Sequence, residues 1–277
     1  MPIAQVNGVG IHYEVAGTGF PLVWAHEWGG CSASWDPQVR CLARYYRVIT
    51  YDARGYPPSE VPVADEAYSQ EIAVADLHGL LLHLGISEAY VGGLSMGGST
   101  SLNFAISHPD VVKALIIASS GAGSSNRRQF EADMLAMIHK LESAGVEAVA
   151  DTFARGPTRI QLLRKDPKAW REFYNNFVER SPIGLAQCLQ QVVLGRKTVY
   201  ELEAQLRQVE APTLIMVGDE DEPCIEPGIF MKRSIPHSGM TFFPQSGHLL
   251  NLEEPESFNR SVLDFLSLAE KGKWPGD

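Results

Sequence analysis

The chain has 277 residues, 45% of them hydrophobic, so it can bury a large core and is not expected to be disordered. Acidic side chains outnumber basic ones by 33 to 23, and the net charge of −10 argues against a nucleic-acid partner because it repels phosphate. No apolar run approaches the length of a membrane span, and the first residues lack a signal-peptide pattern. We therefore expect a cytoplasmic protein that binds neither nucleic acid nor membrane.

The first part of the chain is predicted to alternate short strands with helices. Asn7-Gly8 is a hairpin signal between the first two strands, and later apolar runs are typical of buried parallel strands. A helix is expected to begin at Ser34, and apolar residues at helical spacing predict another over residues 69–84. The predicted strands cover residues 3–6, 9–15, 21–25, 47–51, 90–91 and 112–118.

The character of the sequence changes between Gly123 and Gln208. Helical spacing persists there, strand signals disappear and the density of charge rises. The predicted helices cover residues 127–141, 145–154, 167–180 and 183–193. We interpret residues 123–208 as an inserted helical lid on a core formed by residues 1–122 and 209–277.

Buried-strand character returns in the last part of the chain. Strands are predicted over residues 212–217 and 240–243, a helix over 255–268, and a frayed tail over 271–277. Strands that alternate with helices indicate an α/β fold, with a mostly parallel eight-stranded sheet flanked by helices on both faces.

The main functional signal is Gly93-Leu94-Ser95-Met96-Gly97, a G-x-S-x-G pattern between a predicted strand and a predicted helix. Glycine on each side of the serine permits a strained turn that holds the hydroxyl clear of the sheet. A serine hydroxyl is a poor nucleophile near neutral pH, so catalysis requires a neighbouring base and an acid that orients the base. Without such partners, the pattern would be a glycine-rich turn with a solvated serine.

Candidates for both partners follow later predicted strands. His248 has the best context of the eight histidines, because it follows a predicted strand within a loop of small residues. His237 lies in a loop away from a firmly predicted strand end. The acid should follow a neighbouring parallel strand, where Asp219 and Asp221 both qualify.

In chain order, these features resemble the α/β-hydrolase superfamily over nearly the whole chain. The matching elements are His26 after the third strand, the Asp52-Ala53-Arg54-Gly55 turn, the Gly93-to-Gly97 elbow, Gly218-x-x-Asp221 and Gly247-His248. The resemblance implies Ser95 as nucleophile and His248 as base. It favours Asp221 as the orienting acid, with Asp219 as the alternative.

The resemblance also implies an oxyanion hole formed by the backbone N–H groups of Met96 and Trp28. Relatives usually have glycine where this chain has Glu27. They more often have a Gly-containing turn where this chain has Tyr-Pro-Pro-Ser at residues 56–59, and we interpret this second difference as stiffening of the loop. Glu27 should not point at the oxyanion, because its charge would oppose the one to be stabilised. Three interpretations stay open for Glu27: a solvated loop residue, an ion pair with Arg54, or a substrate contact beside Trp28.

No metal or cofactor is expected. The cysteines are widely spaced without a C-x-x-C pair, no H-x-x-x-H pair occurs, and no glycine-rich loop carries a phosphate-binding lysine. We interpret the cysteines as ordinary thiols at positions Cys31, Cys41, Cys188 and Cys224.

The resemblance implies a serine hydrolase that cleaves a carboxylic ester or lactone through an acyl-enzyme. Carbon-carbon-bond hydrolysis of a vinylogous diketone is an alternative on the same three residues, as are a slow-turnover ligand-binding or signalling homologue and a non-hydrolytic lyase or perhydrolase. Relatives that need an aspartate nucleophile, such as haloalkane dehalogenases and cofactor-free epoxide hydrolases, are excluded by Ser95. The expected partner is a small-molecule substrate, and the oligomeric state, a homo-oligomer included, is left open.

Overall fold

The computed structural model describes residues 2–274, which contain an eight-stranded sheet. The strands are β1 (Ile3–Val6), β2 (Val9–Ala16), β3 (Pro21–Ala25), β4 (Arg47–Tyr51), β5 (Ala89–Leu94), β6 (Val112–Ala118), β7 (Thr213–Gly218) and β8 (Ser238–Phe243). Their spatial order is β1-β2-β4-β3-β5-β6-β7-β8, and only the β1–β2 and β2–β4 pairs are antiparallel. The predicted fold class is confirmed.

Helices connect and cover these strands. They are α1 (Asp36–Leu42), α2 (Gln70–His83), α3 (Met96–Ser107), α4 (Arg127–Ala144), α5 (Glu147–Ala154), α6 (Ile160–Lys165), α7 (Pro167–Val178), α8 (Pro182–Gln187), α9 (Glu203–Leu206), α10 (Glu222–Ser234), α11 (Leu250–Glu253) and α12 (Pro255–Glu270). A π-helical segment, Cys188–Val193, continues α8, and 3-10 turns cover Ser32–Trp35 and Asp65–Ala67. Among the described residues, no helix is both long and apolar enough to cross a membrane.

Two cores lie on opposite faces of the sheet. Along β6, Ala114 and Ile116 belong to one buried cluster, whereas Leu115 and Ile117 belong to the other. The helices α2, α3 and α10 contribute to the second cluster, and α1, α12 and most of the helices between β6 and β7 contribute to the first. Since successive side chains of a strand point to opposite faces, a strand buried on both faces must be apolar throughout.

Four helices were not predicted from the sequence: α6, α9, α10 and α11. The largest of these, α10, contains Pro223, Pro227 and Gly228, which usually indicate a turn. Pro223 lies in the first turn, where its missing N–H is not needed. The absence of a side chain at Gly228 allows α10 to approach β7, because a Cβ there would lie 2.9 Å from Val217.

The chain also differs from prediction near β8 and at its C-terminal end. β8 begins at Ser238, two residues before the predicted start, so His237 directly precedes a strand. The early start was not predicted because serine and glycine have weak strand propensity. A frayed tail was predicted from Lys271 onward, and this prediction is wrong for Trp274, whose side chain is packed. The Trp274 indole packs edge-on against Phe265 and donates a hydrogen bond to the His237 carbonyl at 3.0 Å. Residues 275–277 lie outside the described residues.

Within the described chain, residues between β6 and β7 form helices and turns and no strand. Two aromatic side chains from this segment, Phe153 and Phe177, stack on each other and meet Trp28 edge-on. The segment therefore packs on the loop that follows β3, at the edge of the sheet where the parallel strands end.

Candidate active site

Ser95 lies on a sharp turn between β5 and α3. Its backbone has φ 56° and ψ −112°, a strained conformation for a residue with a side chain. The turn is possible because its flanking residues are glycines: a Cβ at Gly97 would lie 2.0 Å from the Ala25 carbonyl oxygen, and one at Gly93 would lie 2.3 Å from Gly97 itself. The Ser95 N–H donates to the Ala118 carbonyl at 2.9 Å, which ties the turn to the end of β6.

His248 and Asp221 form a buried pair next to this turn. The imidazole Nδ1 lies 2.9 Å from Oδ2 of Asp221, and both side chains are almost fully buried. Asp221 is the N-cap residue of α10 in the turn after β7, and His248 follows β8 in the loop before α11. Asp219, the alternative acid, is exposed and accepts a hydrogen bond from the Ser246 N–H at 3.2 Å. The structure therefore brings Asp221, and not Asp219, to the imidazole.

The surroundings of Asp221 favour its charged form. Burial alone would raise the pKa of its carboxyl, but the charge of His248, its hydrogen bond to Oδ2 and the neighbouring polar groups of Cys224 and Ser119 together hold the pKa below its usual value. An ionised Asp221 accepts the Nδ1–H of His248, which leaves Nε2 free to accept a proton. Ser95 and His248 line the same cavity. In this structure the Ser95 hydroxyl forms no hydrogen bond with any residue from 2 to 274.

Two contacts that sequence reasoning missed hold the His248 loop in place. The Glu253 carboxylate accepts the N–H groups of Gly247 and Leu249, at 2.7 and 3.0 Å, on either side of His248. The His248 N–H itself donates to the Thr158 carbonyl at 2.6 Å. An acidic residue soon after the histidine was a visible signal for the first contact, whereas the second joins residues 90 positions apart and has no local signature.

The backbone donors expected for an oxyanion are available. Met96 is the first residue of α3, so its N–H has no acceptor within the helix. Among residues 2–274, neither the Met96 N–H nor the Trp28 N–H donates to a loop or side-chain acceptor. The Trp28 indole donates instead to the Leu185 carbonyl at 2.9 Å, which anchors this loop to α8.

A cavity of about 270 Å³ lies beside Ser95 and His248. Its apolar walls are formed by Trp28, Ala122, Phe130, Met134, Met137, Phe153, Leu189 and Val193. Its polar lining includes Thr158, Arg159, Arg196, Asp133 and Asp221. The two arginines come from the helical segment between β6 and β7, and sequence reasoning did not single them out, because an arginine in such a segment usually faces solvent.

The structure excludes two of the three interpretations of Glu27. Its side chain is fully buried, so it is not a solvated loop residue. Arg54 does not pair with it, because the Arg54 guanidinium forms a bidentate pair with Asp76 at 2.7 and 2.9 Å. The Glu27 carboxyl lies against Gly30 and accepts a 3.3 Å hydrogen bond from the Ser34 hydroxyl.

Burial raises the pKa of Glu27 to about 7, although its own backbone N–H, Arg159 and Ser34 act in the opposite direction. Glu27 lies behind the wall of the cavity and is not part of its lining among the described residues. Direct substrate contact, the third interpretation, is therefore not supported for Glu27, whereas Trp28 does line the cavity.

Other polar residues near the sheet edge have structural partners. His26 donates through Nδ1 to the Glu27 carbonyl at 2.7 Å and accepts the Ala53 N–H through Nε2 at 3.0 Å. Burial lowers the pKa of His26, so its neutral form bridges two loops. His12, on the antiparallel strand β2, lies 2.6 Å from Asp52 and is not part of the lining of the cavity beside Ser95 among the described residues.

One group of side chains in the described structure could in principle hold a metal ion: Asp221, Cys224 and His248, whose ligand atoms lie within 4.8 Å of one another. Burial raises the pKa of the Cys224 thiol well above its usual value, so the thiolate that a metal would need is disfavoured. His248 Nδ1 is already bonded to Asp221. This donor set fits a hydrogen-bonded pair better than a metal site.

The sequence matches the model of the alpha/beta hydrolase fold family over residues 21–255, and the chain belongs to this family. It is 28% identical over 268 residues to a 2-hydroxy-6-oxo-6-phenylhexa-2,4-dienoate hydrolase of Comamonas testosteroni, with 92% of this chain and 91% of the relative covered. It is 26% identical to 3-oxoadipate enol-lactonase 2 of Acinetobacter baylyi, with 87% and 86% covered.

Among solved structures, an esterase from Exiguobacterium antarcticum superposes with a TM-score of 0.83 at 25% identity, and the match covers 96% of this chain and 98% of the esterase. The fold, the family and these relatives together make this chain an enzyme of the hydrolase class.

Proposed function

We propose that this enzyme hydrolyses a carboxylic ester or lactone, with Ser95 as nucleophile, His248 as general base and Asp221 as the acid that orients the base. The observation that carries the proposal is the buried His248–Asp221 pair, which faces the same cavity as a serine held on a strained turn. A base that is oriented by a carboxylate and lies beside a serine is what nucleophilic catalysis by serine requires.

In the first half of the reaction, the Ser95 hydroxyl attacks the substrate carbonyl while Nε2 of His248 accepts its proton. The N–H groups of Trp28 and Met96 stabilise the oxyanion that develops. The imidazolium then donates its proton to the departing alkoxide, which leaves an acyl-enzyme. In the second half, His248 takes a proton from water, the hydroxide attacks the acyl carbon, and Ser95 recovers its proton as the acid is released.

We further propose that residues 123–208 act as a lid over residues 1–122 and 209–277. The support is that α4, α5 and the π-helical segment provide much of the cavity wall, whereas Ser95, Asp221 and His248 follow strands of the sheet. Substrate selectivity would then depend on lid side chains and catalytic power on sheet-edge residues. The cytoplasmic location stays a prediction, supported by four free cysteines.

The substrate of the Comamonas relative favours a second candidate, hydrolysis of a carbon-carbon bond in a vinylogous diketone. Slow turnover by a ligand-binding homologue stays a weaker alternative, because the proposed catalytic residues are all present. The wild type should be assayed with p-nitrophenyl butyrate and with 2-hydroxy-6-oxo-6-phenylhexa-2,4-dienoate. Faster turnover of the dienoate, with little release of p-nitrophenol, would favour the second candidate.

The proposal is tested with Ser95→Ala, His248→Ala and the double variant, assayed on p-nitrophenyl butyrate. Each single variant should lose on the order of 10⁴-fold or more in kcat, and the double variant should be little worse, since the two residues act as a unit. Wild type should release a burst of p-nitrophenol equal to the enzyme concentration. Ser143→Ala and His139→Ala serve as controls, because both residues are exposed on α4. Substantial activity in either single variant would overturn the mechanism.

A further inference from the structure

Two arginine side chains reach the wall of the cavity without an anionic partner. Nε of Arg159 and Nη1 of Arg196 are both buried, and neither atom has a hydrogen-bond partner among the described residues. Both arginines line the cavity that contains Ser95 and His248. Buried N–H groups are nearly always hydrogen-bonded, so two arginines that line one cavity and each keep a buried N–H without a partner require an explanation.

The contacts that position these arginines are with neutral groups. The Arg159 guanidinium lies 4.1 Å from the centre of the Phe153 ring and donates through Nη1 to the Thr158 hydroxyl at 3.3 Å. Arg196 donates through Nη2 to the Ala122 carbonyl at 3.2 Å. Among residues 2–274, neither Arg159 nor Arg196 forms an ion pair within 4.0 Å, whereas six other arginines do.

Nearby carboxylates are committed elsewhere. Asp221 is paired with His248, and Asp133 lies at the exposed side of the cavity, where it accepts a hydrogen bond from Gln129. Burial holds the pKa of Glu27 near 7, so its carboxyl carries only part of a charge at neutral pH.

Desolvation makes the two cations costly to the fold. Burial lowers the pKa of Arg159 and lowers that of Arg196 to about 10, yet both stay protonated near neutral pH. A partly buried charge without an ion-pair partner is costly, and an anion that enters the cavity would offset part of this cost.

We propose that the substrate carries a carboxylate on the same molecule as the carbonyl that Ser95 attacks, and that Arg159 and Arg196 bind this carboxylate. The inference rests on the proposed function, and it adds the substrate class. Each guanidinium carries several N–H donors that can pair with a carboxylate oxygen, and the apolar side chains of the wall suit a hydrocarbon spacer between the two ends.

The test compares two aryl esters that differ only in charge: mono-p-nitrophenyl adipate, which ends in a carboxylate, and its methyl-capped diester. Wild type should prefer the anionic ester by about tenfold or more in kcat/KM. Arg159→Met and Arg196→Met should each lower that preference by about 10- to 100-fold, mainly through KM, and should leave turnover of the capped ester within a few-fold. The preference of wild type should also fall as salt is raised.

Matched controls come from exposed neighbours. Arg164→Met on α6 and Lys197→Met next to Arg196 remove a positive charge of the same segment that does not line the cavity. Both should keep the wild-type preference. If wild type prefers the capped ester, or if the two cavity variants keep the preference for the anionic ester, Arg159 and Arg196 are structural and the inference is wrong.

Binding to the inert Ser95→Ala variant separates this inference from the proposed function. Titration calorimetry should show tighter binding of the anionic ester than of the capped ester, and Arg159→Met in the same background should remove the difference. Charge-dependent binding without wild-type turnover would overturn the proposed function alone. Turnover by Ser95 without any charge preference would overturn the carboxylate site alone.

Discussion

At the scale of single residues, the two aspartates that follow β7 lie two positions apart in the chain but have different surroundings. Asp221 is fully buried and bonded to His248, whereas Asp219 is exposed and bonded to a backbone N–H. Asp221→Asn keeps the size of the side chain but favours the wrong imidazole tautomer, so we expect kcat to fall by about 10³- to 10⁴-fold. Asp219→Asn is the matched control and should stay within a few-fold of wild type. Measured kcat values in the reverse order would transfer the role to Asp219.

Glu27 provides a second prediction at this scale, because burial raises its pKa from 4.5 to about 7. The folded protein therefore holds this proton more tightly than the unfolded chain. The stabilisation is fully present below about pH 4.5 and is lost as the pH rises through about 7. Glu27→Gln removes the titration, so the free energy of unfolding of the variant relative to wild type should rise by about 2 to 3 kcal/mol between pH 5 and pH 8.5.

Urea unfolding of both proteins at the two pH values measures this difference, and other titrating groups cancel because both proteins contain them. Glu14→Gln, exposed on β2, is the control for the loss of a carboxyl group. A relative stability of Glu27→Gln that does not change with pH would show that Glu27 is ionised throughout, paired with a cation.

At the scale of elements, the short helix α11 holds His248, the proposed catalytic base, through Glu253. Its carboxylate accepts two N–H groups that flank His248, so the loop has one geometry relative to Asp221. Glu253→Gln offers one acceptor oxygen instead of two, and we expect a fall in kcat of about tenfold with little change in KM. Glu256→Gln, exposed at the start of α12, is the control. Equal kcat values for Glu253→Gln and wild type would show that the loop needs no such support.

The α5–α6 turn is the other element that reaches this loop. Thr158 accepts the His248 N–H, and Lys165 on α6 bonds Ser246 and Glu254 at 2.8 and 2.6 Å. The same turn carries Arg159 into the cavity. The helical segment therefore contributes both a proposed carboxylate ligand, through the Arg159 side chain, and backbone support for the proposed base, through the Thr158 carbonyl.

At the scale of the whole molecule, the parallel strands bring distant residues to one edge of the sheet. Trp28 follows β3, Ser95 follows β5, Asp221 follows β7 and His248 follows β8, and β3, β5, β6, β7 and β8 are consecutive neighbours in one parallel array. Because parallel strands all end at the same edge, residues up to 220 positions apart meet there.

Chemistry assembled in this way needs only side chains and backbone N–H groups, so we expect full activity without a metal. If a metal were needed, the candidate ligands in the described structure would be Asp221, Cys224 and His248. Exhaustive dialysis against EDTA, followed by assay with p-nitrophenyl butyrate, should leave kcat/KM unchanged. Loss of activity that a divalent metal restores would contradict the acyl-enzyme mechanism, and Cys224→Ser would then locate the metal.

The sequence by itself determined the features that depend on local pattern. Apolar runs and helical spacing predicted the eight strands and the main helices, because burial on one or both faces imposes a period that can be read over a few residues. Glycines around Ser95 predicted the turn, since only glycine permits such close approach. Ser95 and His248 could be named because each follows a strand, and in a parallel sheet that position places them at one edge. Asp219 and Asp221 both follow the same strand, so the preference for Asp221 came from the family resemblance and not from its position alone.

Only the tertiary structure decided what depends on contacts between distant segments. The partner of Arg54 proved to be Asp76 and not Glu27, and Glu27 proved to be buried, because neither packing nor desolvation can be read from neighbours along the chain. Arg159 and Arg196 look like ordinary surface cations in the sequence. Both line the cavity beside Ser95 and His248 because the helices between β6 and β7 pack over the sheet edge, and the energy of a charge depends on what surrounds it in space.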